Sequence, residues 1–175
     1  MPGKADERRV DEVLAAGAAF HDALADLPRP AFLDAAEDPW SVADRVAWGE
    51  APPPTGDLVE SLLAECGEPT EPCQIIHGDL LGNVLFADGH PPTIIDWAPY
   101  WRPAGYSAAV AVVDAVCWHR VPLAALLVDR GYASWRELLL RALVFRTATL
   151  QLLEAWDHDM NARHGPVAEA ILRLD

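Results

Sequence analysis

His77-Gly78-Asp79-Leu80-Leu81-Gly82-Asn83 is the stretch on which the fold of this chain turns, together with Asp96, which closes the following segment. The apolar run Cys73-Gln74-Ile75-Ile76 precedes it, and Val84-Leu85-Phe86-Ala87, Asp88-Gly89-His90-Pro91 and Pro92-Thr93-Ile94-Ile95-Asp96-Trp97 follow. Short apolar runs flanking an Asp-Gly turn signal predict a β-hairpin. Two prolines make poor ladder partners, so Asp88 to Pro91 is expected to form a four-residue loop. Ala87 then faces Pro92, and Asn83 faces Asp96. Directly opposed side chains have Cβ atoms roughly 5 Å apart, which sets a carboxamide oxygen beside a carboxylate. Hard oxygens of this kind suit Mg²⁺ when nucleotide phosphates supply the remaining ligands. Asp79 lies just before the pair, on a polar loop that contains Gly78 and Gly82. An aspartate so placed can take a proton from a hydroxyl nucleophile.

His-Gly-Asp, a nearby Asn, and Ile-Asp-Trp after a hairpin resemble the catalytic core of the aminoglycoside phosphotransferase family. That family belongs to the protein-kinase-like superfamily, which also contains choline kinases. The wording is closest to an actinobacterial branch, in which His-Gly-Asp-Leu-x-Gly-Asn-Val-Leu-Phe and Ile-Asp-x-x-Pro-Tyr-Trp-Arg-Pro recur. The likeness extends over nearly the whole chain, with the motif as its most specific part. By position, the resemblance implies that Asp79 is the catalytic base and that Asn83 and Asp96 hold Mg²⁺ on ATP. It also implies that His77, Gly78 and Gly82 are cofactor-binding residues, on the nucleotide side of the loop. Two departures stand out. The family usually has four residues between the aspartate and the asparagine, whereas Leu80, Leu81 and Gly82 make three. Many relatives also carry an aspartate soon after Ile-Asp-Trp, and Arg102 to Ala108 offers none.

A chain of 175 residues, 51% hydrophobic and 23% charged, is long enough for one domain with a sizeable core. The net charge of −14 disfavours nucleic acid as a partner. No apolar run reaches the roughly 20 residues of a membrane span, and the polar start Met1 to Arg9 lacks a signal-peptide segment. A cytoplasmic location is expected. Cys66, Cys73 and Cys117 have no Cys-x-x-Cys spacing, which suits a reducing compartment and buried thiols. The sole lysine is Lys4, in no strand pattern and after no glycine-rich loop. A kinase-like enzyme grips nucleotide phosphates with a strand lysine. The expected fold is therefore α+β and mainly helical: the C-terminal lobe of a kinase-like fold, residues 1–175 forming one domain, with the nucleotide-gripping lobe absent.

Along the chain, residues 8–27 read as an amphipathic helix with Val13, Gly17, Phe20, Leu24 and Leu27 in a stripe. His21, beside that stripe, reads as a satisfied helix histidine. A short helix is expected from Ser41, which would cap it, to Gly49. Trp40 and Trp48 flank it and either stack a substrate ring or pack on the lobe. Ala51 to Gly56 is a proline-rich linker, and Asp57 to Cys66 a helix. Trp97 to Gly105 reads as a loop whose Tyr100, Trp101 and Arg102 either meet substrate or pack. Ser107 to His119 is almost wholly apolar and predicts a buried central helix. Asp114 in its middle needs a partner, expected to be His77 or the loop backbone. A short helix opens at Pro122 and ends at Gly131. Ser134-Trp135-Arg136-Glu137 reads as a capping box for a long helix carrying Leu138, Ala142, Phe145, Thr149, Leu152 and Trp156. Its polar tail, Asp157 to His164, reads as a solvated end, broken from a last short helix by Gly165-Pro166.

The expected function is ATP- and Mg²⁺-dependent phosphorylation of a small-molecule hydroxyl, carried by the intact family. This chain is expected to be incomplete and inactive alone, whether as a fragment, from a start codon set too late, or as a partner awaiting its other lobe or a second copy. The competing reading is a non-catalytic kinase-like binding or scaffold module.

Overall fold

The computed structural model describes residues 3–55 and 57–174. Met1, Pro2, Gly56 and Asp175 lie outside them, and with them part of the polar start and the end of the proline-rich linker. Among the described residues the architecture is α+β and about 53% helical, with six helices and two small antiparallel sheets.

The centre is built from α4 (Ala104–His119) and α5 (Trp135–Leu152). Nearly every residue of α4 from Gly105 to Ala115 is buried, as expected of a helix apolar on all sides. Its length follows the reading from Ser107, extended by one turn, and it stops at Arg120 in left-handed conformation, φ 59°. Around the pair pack α1 (Val10–Leu24), α2 (Pro39–Ala47), α3 (Asp57–Ala64) and α6 (His158–Leu172). The first sheet joins β1 (Lys4–Ala5), β3 (Val84–Phe86) and β4 (Thr93–Ile94) in the order β1-β3-β4. The second pairs β2 (Cys73–His77) with β5 (Pro99–Pro103). Loop 78–83 thus runs from the end of one sheet to the start of the other.

Several expectations are corrected. The hairpin forms, but Val84 faces Ile94 and Leu85 faces Thr93. Asn83 is therefore opposite Ile95, whose N–H it accepts at 3.0 Å, and not opposite Asp96. The strand already ends at Phe86, because Pro91 and Pro92 cannot donate to a ladder and Ala87 turns to accept from His90. Lys4 does lie on a strand, paired with Phe86. The segment read as a loop from Trp97 contains strand β5, whose prolines sit at its two ends on a two-stranded sheet where a missing N–H is tolerated. Asp38 caps α2 by accepting from the Trp40 and Ser41 N–H groups, while Ser41 Oγ donates to Asp38. Ser134 makes no side-chain cap, because its Oγ accepts from Thr70 N–H and Glu137 is drawn away to Gly67 N–H. The segment opened by Pro122 is a five-residue 3-10 helix, Leu123–Leu127. Gly165 and Pro166 lie inside α6; burial of Val167, Ala168 and Ile171 offsets the hydrogen bond that proline forfeits. The break falls earlier, at Glu154 (φ 56°), and Asp157 caps α6. Of the three thiols only Cys117 is buried; Cys66 is half-buried and Cys73 exposed.

Candidate functional site

Strand β2 delivers His77 into the core, and from there hydrogen bonds fix each step of the loop. The Asp79 N–H donates to His77 Nδ1 at 3.1 Å, so the ring proton sits on Nε2, which donates to the Ile95 carbonyl at 3.1 Å. The His77 N–H donates to His21 Nε2 at 3.0 Å, and the Ser107 hydroxyl donates to the His77 carbonyl. Gly78 N–H donates to Ala98 O at 2.8 Å, and the Trp97 indole to Ile76 O at 3.1 Å. The loop is thus tied to α1, to α4 and to the segment after β4. Leu80 anchors it from below, buried with Val13, Val84 and Ala111. Gly82 turns the chain at φ +86°, where only glycine is unstrained.

His21 is the satisfied helix histidine read from the sequence, and its environment makes a prediction. Burial first, then the nearby His77, pushes its imidazole from 6.5 down to about 4. Protonation would also remove the acceptor that His77 N–H needs. The unfolded chain takes the proton near 6.5 and the folded chain resists it. Stability is therefore full above about pH 6.5 and is lost as pH falls toward 4, by up to about 3 kcal/mol. Urea midpoints between pH 7.5 and 5 should show the loss, and His21→Gln, which keeps an acceptor, should lose less than half as much. Equal slopes for both proteins would contradict this.

The three-residue loop still closes on itself. Asn83 N–H donates to Leu80 O at 2.9 Å, and Asn83 Nδ2 donates to Asp79 O at 2.8 Å and, more weakly, to Asp79 Oδ2 at 3.4 Å. Asp79 and Asp96 both line one cleft of about 420 Å³. Asp96 is exposed and holds a left-handed backbone, φ 48°, a conformation aspartate tolerates better than most residues. Asn83 stands beside Asp79 but does not line that cleft. His77, Gly78 and Gly82 do not line it either; they hold the loop's shape from behind.

Sequence reasoning missed Arg146. From α5 it donates through Nε to both oxygens of Asp114, at 2.8 and 3.0 Å, and through Nη2 to Asp114 again. The same Nη2 lies 2.5 Å from Asp79 Oδ1. Asp114 thus pairs with Arg146, not with His77 or the loop backbone as expected. Burial pushes the Asp114 carboxyl up against the pull of Arg146, and the two carboxylates hold the guanidinium firmly charged. The findable signal was Asp114 itself: a carboxylate in an apolar helix requires a cation, and Arg146 follows Phe145 on the stripe of the longest helix. Among the flanking aromatics, Trp48 packs edge-on to Tyr106 and is stacked by Arg102 and Arg141, whereas Trp40 is 45% exposed and lines the cleft. Arg102 is structural, forked between Asp44 and Glu50. Tyr100 lines the cleft.

Compared with protein-family models, curated proteins and solved structures, the chain matches none of them.

Proposed function

We propose that this cleft is the acceptor and metal side of a Mg²⁺- and ATP-dependent phosphotransferase site, acting on a small-molecule hydroxyl, and that the chain is the C-terminal lobe of a kinase-like fold. One observation carries the reading: Asn83 holds Asp79 across the shortened loop, and Asp79 and Asp96 face the same cleft. Asp96 is exposed on the cleft and can supply a carboxylate oxygen to the ion; Asn83, whose amide nitrogen is spent on Asp79, stands beside that cleft and would add its carbonyl oxygen. The described residues contain no cluster of three or more His, Cys, Asp or Glu that could hold a metal. Mg²⁺ at a nucleotide needs only one or two carboxylates, since phosphates and water complete its shell. When bound, Mg²⁺ would neutralise charge on the phosphates. The chain's own part is to orient and accept. The acceptor oxygen bonds to the terminal phosphorus of ATP as the bond to the ADP oxygen breaks, and the hydroxyl proton passes to Asp79. Arg146 and Asn83 keep that carboxylate from rotating away.

A second reading, a non-catalytic binding module, is favoured by the Arg146 contact, because the carboxylate that would take the proton is already paired. The phosphates also lack a lysine here. Lys4, the sole lysine, lines a different pocket with Arg9 and His90. The chain alone should therefore bind Mg-ATP weakly, with a dissociation constant of about 0.1–1 mM, and turn it over only when a further cationic group is supplied. Calorimetry on the wild type and on Asp96→Asn tests this. Under the transferase reading the substitution weakens Mg-ATP at least about fivefold; absence of any binding at millimolar nucleotide favours the module.

A further inference from the structure

We infer that the acceptor taken by this cleft is a small alcohol with an aromatic or alicyclic body, an inference that rests on the transferase reading above. The cleft sets polar groups, among them Asp79, Asp96 and Arg146, within apolar walls: Phe32, Leu33, Trp40, Tyr100 and Phe145. Its volume of about 420 Å³ lies at the small end of the roughly 300–1,000 Å³ that ligand sites span.

Asp38, Asp79 and Asp96 line the cleft, so its polar groups are acidic on balance against the one guanidinium of Arg146, and it is the walls that select the body of the acceptor. An aromatic or alicyclic ring gains contact with Phe32 and Trp40, which are 59% and 45% exposed. The Arg146 guanidinium lies over the Phe145 ring at 4.9 Å, while its Nη1 makes no hydrogen bond among the described residues and can donate to the acceptor's oxygen.

The probe is 2-(2-naphthyl)ethanol, titrated by calorimetry into the full chain, with choline as an alcohol that lacks a ring and Mg-ATP in a separate cell. The naphthyl alcohol should bind with a dissociation constant of about 0.1–1 mM, and choline at least about tenfold more weakly. Trp40→Ala and Phe32→Ala should each weaken it about fivefold to tenfold. Both side chains are exposed, so the variants should fold as the wild type does, which circular dichroism checks. Binding that these substitutions weaken supports the inference even where Mg-ATP fails to bind, in which case the transferase reading falls instead. Tighter binding of choline overturns the inference, as does naphthyl alcohol binding unchanged by both substitutions. So does Mg-ATP binding with no naphthyl alcohol binding, and this last outcome leaves the transferase reading standing.

Discussion

Arg146→Met should destabilise the chain by about 3–5 kcal/mol, the scale expected when one partner of a buried ion pair is removed. Asp114 is 7% exposed and, among the described residues, receives its side-chain hydrogen bonds from Arg146 alone. Without the guanidinium its carboxylate must stay charged in the core or take a proton. Two further measurements identify this mechanism. Arg146→Met combined with Asp114→Leu should recover much of the loss, because an apolar pair of similar volume avoids the desolvation cost. The single variant should also lose stability, relative to wild type, as pH rises from 5 to 7.5. A lone buried carboxyl has its folded pKa raised above the unfolded value, so the folded state binds the extra proton and is favoured on the acid side. A loss below about 1 kcal/mol in urea titrations, or a double variant no better than the single, would mean that the pair contributes little.

Gly78→Ala should cost about 2–3 kcal/mol. A Cβ at this position would lie 2.2 Å from Tyr100 Cδ2 and 2.4 Å from Cε2. The ring cannot easily withdraw. Its strand is paired with Ile76, and the ring packs edge-on against Phe145, centroids 5.9 Å apart. The neighbouring Gly78 N–H is fixed to Ala98 O, so the loop cannot simply slide. In a Tyr100→Ala background the same substitution should cost less than about 1 kcal/mol, a coupling that identifies the clash as its cause. Equal costs in both backgrounds would place the effect in the backbone instead.

Glycine at position 78 was legible only as part of a motif; its physical reason, the Tyr100 ring, lies on a segment that read as a loop. Prolines at 99 and 103 argue against a strand, yet both sit at its ends, on a sheet of two strands where a missing N–H is tolerated. The central helix was legible because an apolar run that long has few alternatives to burial. The hairpin was legible in kind but not in register. One residue's difference in loop length moves Asn83 from opposite Asp96 to opposite Ile95, and nothing local distinguishes the two. Asp79 and Asp96 nonetheless share a cleft, brought there by the turn after β4 rather than by cross-strand pairing. Arg146 was missed because a charge on a helix is usually solvated, and only its tertiary neighbour Asp114, 32 residues away, makes it otherwise.

The central claim is that Asn83 and Asp96 hold the metal of a nucleotide site beside the base Asp79. Mn²⁺-ATP, added in small amounts to ¹⁵N-labelled protein, reports it through paramagnetic broadening of backbone amides. The account predicts that the amides of Asp79, Asn83 and Asp96 broaden first and most strongly, and that Asp96→Asn removes the effect. Broadening centred instead on Lys4, Arg9 and His90, the basic residues of the other pocket, with Asp79 and Asp96 sharp, would contradict it.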